Sequence, residues 1–103
     1  MAMTARAALT LDRHVIDPLM RDLVGHDRKP SSYLVYLAVL AQNEAGVRAM
    51  SYTELVDLTG LSRRSVQDAV AHLGRRNLIE IQRVGPTETA AYRALFPWRR
   101  SAL

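Results

Sequence analysis

The sequence predicts an α+β domain that is mainly helical with a small β-hairpin, and three adjoining patterns support this prediction. Residues 51–60 carry the start and stop signals of a short helix, residues 62–76 have apolar side chains at helical spacing, and residues 78–95 contain two strand-like segments around a turn. At 103 residues the chain is long enough for one hydrophobic core and too short for two. We therefore expect a three-helix core, an extra N-terminal helix and a sheet of two or three strands.

The N-terminal part of the chain predicts the extra helix. Asp17 followed by Pro18 has the pattern of a helix cap with proline at the first helical position, where its missing N–H has no cost. A short helix from Pro18 to Val24, ending at Gly25, follows from this pattern.

The next helix begins at Ser31 or Ser32 and ends around residues 45–46. Its apolar residues at helical spacing are Leu34, Leu37, Ala38 and Ala41, and the arc is widened by Val35, Val39 and Leu40. A helix that is apolar over so much of its circumference is expected at the centre of the fold, in contact with neighbours on two sides. Residues 47–50 are short and extended, which suits a third strand added to the hairpin.

Residues 51–60 predict a helix with well-defined ends. Ser51 and Glu54 have the spacing of a capping box, so the helix begins near Tyr52. Gly60 can take the positive φ of a sharp helix exit, so the helix stops at about Thr59.

Residues 62–76 predict an amphipathic helix that Ser62 caps. One face is an apolar stripe made of Val66, Ala69, Val70 and Leu73. The opposite face carries Arg64, Gln67, Asp68, Ala71 and Arg75, with Arg63 and Ser65 at its margins. The side chains that face outward are therefore rich in hydrogen-bond donors.

The remaining part of the domain predicts a β-hairpin. Asn77 is suited to a left-handed helix stop, and residues 78–84 then alternate as a strand with one solvated face does. Residues 85–89 supply a turn, and residues 91–95 return as the antiparallel partner.

The predicted order of elements is helix, turn, helix and hairpin. Within it lie the motifs E-L, G-L-S, an arginine-rich helix start, V-x-x-x-V-x-x-L and N-L-I-E. Together these features resemble the winged helix-turn-helix module of bacterial DNA-binding regulators. MarR-type and GntR-type repressors and the winged domains of plasmid replication initiators share this module, and the resemblance covers roughly residues 34–96. It implies that helix 62–76 enters the major groove of DNA and that the hairpin 78–95 acts as a wing. We assign residues 17–96 to the winged helix domain, residues 1–16 to an N-terminal extension and residues 97–103 to a basic C-terminal tail.

The resemblance also implies a set of DNA-binding residues. The candidate base readers are Arg63, Arg64, Ser65, Gln67 and Asp68, although Asp68 is alternatively placed to orient Arg64. Arg83 and Arg93 flank the expected hairpin tip as candidate phosphate contacts, while Ser51 and Tyr52 sit at a helix N-terminus that can bind phosphate. Ser62 and Arg75 complete the set; Arg75 and Arg76 are equally suited to complementing the helix dipole.

The distribution of charge favours a polyanionic partner. From Ser62 onward eight arginines face three acidic residues, a balance of +5, whereas the preceding part of the chain carries −1. Thirteen arginines against one lysine suit bidentate contacts to guanine or phosphate, although a GC-rich genome produces the same bias.

Several classes of function are disfavoured. The chain has no cysteine, and its three histidines have no acidic partner at ligand spacing, so we expect no metal site and no cofactor. Motifs for phosphate loops, nucleophile elbows or paired carboxylates are absent, so an enzyme is not expected. With neither a signal peptide nor an apolar run long enough for a bilayer, we expect a cytoplasmic, nucleoid-associated protein that does not bind membranes.

The expected function is sequence-specific binding of double-stranded DNA by a small transcriptional regulator. Some apolar residues exceed the needs of a minimal winged helix, namely Leu9, Leu11, Val15, Ile16, Leu19 and Trp98. They either cover the core or form a homodimer interface, and we favour the homodimer interface. The alternatives are a winged helix protein of plasmid or chromosome replication or partition, and a winged helix used for protein–protein interaction. In the second alternative the hydrophobic ends of the chain and the acidic residues Asp68 and Glu88 would form the interface.

Overall fold

The computed structural model describes residues 8–83 and 89–99, and within them it shows the expected α+β fold. Two short helical segments, Val15–Leu19 and Arg21–His26, precede the main helix α1, Pro30–Glu44. Strand β1, Ala49–Met50, leads to α2, Tyr52–Thr59, and α3, Arg63–Arg75; strands β2, Ile79–Arg83, and β3, Ala90–Ala94, follow. The turn expected at 85–89 and the ends of the extension and the tail lie largely outside the described residues.

The three strands form one antiparallel sheet in the order β1-β3-β2. The hairpin register runs from Ile79 opposite Ala94 to Arg83 opposite Ala90. The third strand expected from residues 47–50 is confirmed, because Met50 pairs with Ala90 on the other edge of β3.

The signals read for α2 and α3 are also confirmed. The Ser51 hydroxyl accepts from the Glu54 amide at 3.1 Å while the Glu54 carboxylate accepts from the Ser51 amide at 2.8 Å, which completes the capping box. Gly60 has the left-handed φ of 78° that ends α2. The Ser62 hydroxyl accepts from the Ser65 amide at 3.1 Å, and Asn77 takes a φ of 59° after α3. Local sequence therefore determines both ends of the two helices.

The core lies between α1, α3 and the inner face of the sheet. The predicted stripe of α3 is buried, and α1 is in contact with α2, α3, β3 and the segment Arg21–His26, as expected of a central helix. The largest fully buried side chains are Tyr36, Tyr92, Leu23, Met50, Leu55 and Leu73.

The face that α1 buries differs from the one we predicted. Leu34 is 44% exposed, and the buried residues of α1 are Ser32, Tyr33, Val35, Tyr36, Val39 and Leu40. The two tyrosines enter the core because each hydroxyl finds a carbonyl: Tyr33 donates to Val15 O at 2.9 Å, and Tyr36 donates to Leu95 O at 2.8 Å. The helix also begins earlier than predicted, at Pro30 after Lys29.

The N-terminal helix is likewise different from the prediction. Helical backbone precedes Asp17, which the prediction did not include. Asp17 itself has the extended φ and ψ of −141° and 108° that a cap residue takes, and the helical path resumes at Pro18 as predicted. The helical path then continues past the predicted end at Gly25 to His26. Its last turns are wide and are closed by hydrogen bonds from Asp27 N to Asp22 O and from Lys29 N to Leu23 O, both 2.8 Å long.

The described parts of the N-terminal extension and of the C-terminal tail pack against each other. The Asp12 carboxylate accepts from Trp98 Nε1 and from Arg99 Nε, each at 3.0 Å, and the His14 ring stacks on the Trp98 ring with centroids 4.2 Å apart. The Trp98 hydrogen bond and the His14 backbone amide lower the pKa of Asp12 to about 2. Val15, next in the chain, is fully buried in the core. Trp98, which we predicted to belong to the homodimer interface, thus makes these contacts within one chain.

Candidate nucleic-acid interface

The outward face of α3 is exposed over its whole length. The Arg64 side chain is 86% exposed, and its Nε lies 3.9 Å from Asp68 Oδ2, one helical turn further on. Gln67 and Arg75 are exposed on the same face, whereas Val66 on the opposite side is fully buried. The helix is therefore held by its underside, and its donor-rich side is open to solvent.

A second group of side chains extends this face toward the sheet. The Arg63 guanidinium lies 5.5 Å from the centre of the Tyr52 ring, and its Nη1 donates to Thr53 Oγ1 at 3.4 Å. Arg83 also lies beside the Tyr52 side chain, and the interaction between these two groups raises the pKa of the Arg83 guanidinium. Tyr52 thus brings together residues from the start of α2, the start of α3 and the end of β2.

The pairing register explains why Arg83 reaches this group. Arg83 belongs to the last described pair before the hairpin turn, and it follows Ile79 and Ile81 on the sheet face that also bears the buried Tyr92. Burial raises the pKa of Tyr92, which lies close to Tyr52 and Arg83. The side chain of Arg83 is therefore directed toward α2 and α3.

The structure corrects the position predicted for Arg93. We expected Arg93 to flank the hairpin tip with Arg83, but in the observed register Arg93 is opposite Glu80, three pairs further from the turn. Its Nε and Nη2 donate to Glu80 Oε1 at 2.8 and 2.5 Å. Because both residues are on the outer face of the sheet, Arg93 is separated from the surface formed by α3 and Tyr52.

The candidate serines are engaged in helix capping. The Ser51 hydroxyl is bonded to the Glu54 amide, and the Glu54 carboxylate stands at the N-terminus of α2, where it opposes a bound phosphate. The Ser62 hydroxyl donates to Ser65 Oγ at 3.0 Å in addition to accepting from the Ser65 amide. Contacts of these serines with DNA remain predictions.

A cluster around Asp27 holds the C-terminal end of α3, and the sequence did not indicate it. The Asp27 side chain is only 9% exposed and accepts from His26 Nδ1 at 3.0 Å, from His72 Nε2 at 2.8 Å and from Arg76 Nη1. Burial acts to raise the pKa of Asp27, but the hydrogen bonds of both histidines and the charge of Arg76 lower it to about 2. The sequence analysis considered acidic partners of the histidines only at metal-ligand spacing and therefore missed this cluster, in which His26 is adjacent to Asp27 and His72 is 45 residues away from it.

Two further observations concern ligands and membranes. Within residues 8–83 and 89–99, no three His, Cys, Asp or Glu side chains are grouped so that they could hold a metal ion. None of the helices in this part of the chain combines the length and the apolar character needed to cross a bilayer.

Comparison of the chain with protein-family models, with curated proteins and with solved structures finds no match. The function of the α3 surface is therefore inferred from the geometry and chemistry of this chain alone.

Proposed function

We propose that this protein is a winged helix-turn-helix DNA-binding protein and acts as a small transcriptional regulator. In this proposal α3 lies in the major groove of double-stranded DNA, and the β2–β3 hairpin is the wing. The observation that carries it is the exposed, arginine-rich face of α3, held by a fully buried underside and extended by Tyr52 and Arg83.

The order of elements supports the proposal. The chain has a central α1, a short β1, the pair α2 and α3, and then a hairpin that pairs with β1. This is the order expected of the winged helix module that the sequence resembles. The tight Gly60 turn and the Ser62 cap leave the first turn of α3 exposed, and in this module that turn meets the base edges.

The side chains have distinct roles in the proposed complex. Arg64 and Gln67 project from α3 to read base edges, where a bidentate contact contributes about 1–3 kcal/mol of discrimination. Asp68, one turn from Arg64, restrains the guanidinium and does not itself read bases. Arg63 and Arg83, both in contact with Tyr52, hold the phosphates on either side. Arg93 has no part in the complex because it lies on the outer face of the sheet.

A homodimer is part of the proposal, and we revise the residues proposed for its interface. Val15 and Leu19 belong to the core of one chain, but Ile16, Met20 and Val24 of the first helical segments are 46%, 37% and 39% exposed. A two-fold dimer through these exposed apolar residues presents two copies of α3, and a palindromic site has its half-sites about 34 Å apart.

The test is titration of fluorescently labelled duplex DNA with protein at two salt concentrations. If α3 and Arg83 neutralise phosphates, the logarithm of the binding constant falls by about 0.9 per contact for each log unit of salt. Arg64→Ala should relax sequence preference, while Arg83→Ala should weaken binding to all sequences about equally and lower the salt slope by about 1.

Arg93→Ala is the matched control, since it removes the same charge from the outer face of the sheet and should bind DNA like the parent. Binding that is absent or insensitive to salt would contradict the proposal and favour a winged helix protein-interaction module. A replication or partition protein would pass this test, and the genomic position of the selected DNA fragments separates it from a regulator.

A further inference from the structure

A cavity of about 440 Å³ lies away from the α3 surface, between the C-terminal end of α1, the C-terminal end of β3 and the segment 95–99. Its volume is within the range of small-molecule sites, about 300–1,000 Å³. The walls are of two kinds: an apolar part formed by Leu40, Leu95 and Phe96, and a cationic part formed by Arg48, Arg93 and Arg99. Guanidinium groups beside an apolar wall suit a ligand that is both apolar and anionic.

Two of these arginines are held in place from outside the cavity. Arg93 uses Nε and Nη2 to bind Glu80, and Arg99 uses Nε and Nη2 to bind Asp12. Since an arginine has five N–H donors, the Nη1 group of each remains available to a ligand. The Arg99 guanidinium also lies 3.9 Å from the centre of the Phe96 ring, so these two side chains form a flat wall. Their geometry is set before any ligand arrives, which reduces the ordering cost of binding.

Arg48, unlike Arg93 and Arg99, is not paired with a carboxylate of the described residues. It is exposed, and within residues 8–83 and 89–99 no carboxylate is in ion-pair contact with it. The neighbouring Asn43 does not compete for a ligand, because its amide donates to Val47 O and Tyr92 O and accepts from Ala94 N. Glu44, which also lines the cavity, repels an anionic ligand and repels a dianion more strongly than a monoanion.

We propose that this cavity binds a small aromatic carboxylate, with the carboxylate on Arg48 and the ring against Leu40 and the Phe96–Arg99 wall. The flat wall selects a flat ring, the apolar residues select an apolar one, and the single unneutralised arginine beside Glu44 selects a monoanion. This site does not depend on the proposed DNA-binding function, since none of its residues belongs to the α3 surface.

The experiment is an NMR titration of the full-length, ¹⁵N-labelled protein with 2-naphthoate, with neutral 2-naphthamide and inorganic phosphate as comparison probes. We expect saturable shifts at millimolar naphthoate or below, centred on the amides of residues 40–48 and 93–99. The amide should bind at least about tenfold more weakly, as expected when one charge-assisted hydrogen bond is lost.

Two variants of exposed wall residues sharpen the test. Arg48→Gln should weaken naphthoate binding about tenfold, and Glu44→Gln should strengthen it because the opposing charge is removed. Arg13→Gln, an exposed arginine that does not line the cavity, is the control and should leave binding unchanged. Equal affinity for naphthoate and naphthamide, unchanged affinity in Arg48→Gln, binding of phosphate in preference to naphthoate, or no binding at millimolar concentration would each overturn the proposal.

Discussion

Replacement of Asp27 by asparagine tests how the C-terminal end of α3 is held against the N-terminal helical segment. The carboxylate is 9% exposed and is in contact with His26, His72 and Arg76. The asparagine side chain has nearly the same size as the aspartate but lacks the charge that pairs with Arg76. We therefore expect the variant to fold and to be less stable than the parent.

The magnitude follows from the pKa of Asp27. The pKa falls from 3.8 to about 2 on folding, and one pKa unit corresponds to about 1.4 kcal/mol. The charged carboxylate therefore contributes on the order of 2 kcal/mol to the free energy of unfolding. Because the pKa is lower in the folded state, this contribution is fully present above about pH 4 and is lost as the pH falls toward 2.

The assay is urea denaturation of the parent and of Asp27→Asn at several pH values between about 5 and 2. The difference in unfolding free energy between the two proteins should be on the order of 2 kcal/mol at pH 5 and should shrink toward pH 2. Asp12 also has a pKa of about 2, but it is present in both proteins and its effect cancels in the difference.

Asp57→Asn is the control, since Asp57 is exposed on α2 and is not engaged in an ion pair with the described residues. Its stability should differ little from that of the parent at any of these pH values. The reasoning is refuted if Asp27→Asn is as stable as the parent at pH 5, or if the difference between them does not change with pH.

Two further changes test the packing and the assembly. Tyr36→Phe removes a buried hydroxyl that donates to Leu95 O at 2.8 Å and should lower the free energy of unfolding by about 1 kcal/mol in urea; an unchanged midpoint would contradict this role. Met20→Glu places a charge among the exposed apolar residues of the first helical segments and should convert a dimer to a monomer in sedimentation velocity, whereas Gln82→Glu on the outer face of β2 should not. A monomeric parent would contradict the proposed interface.

The elements that the sequence predicted well are those determined by residues close together in the chain. The Ser51–Glu54 capping box, the Gly60 exit and the Ser62 cap involve atoms only a few residues apart, so their pattern is visible in the sequence. The outward face of α3 was predictable for the same reason, because its underside repeats at helical spacing.

The parts that were predicted incorrectly or not at all depend on contacts between distant residues. The buried face of α1 could not be identified from periodicity, because apolar residues occupy most of its circumference and the tyrosines are placed by carbonyls of Val15 and Leu95. The faces of Arg83 and Arg93 depend on the hairpin register, and a shift of one residue reverses them. The Asp27 cluster joins residues that are 45 and 49 positions apart.

The most direct test of the proposed function is an NMR map of the surface that a DNA duplex covers. A ¹⁵N-labelled sample is titrated with a duplex selected from random sequences, and the shifted amides are located on the structure. We predict that the shifts are centred on the first turns of α3, around Arg64 and Gln67, and on Tyr52, while the amides around Arg93 and Arg99 are unaffected. Shifts confined to the outer face of the sheet, or the absence of shifts along α3, would contradict the account.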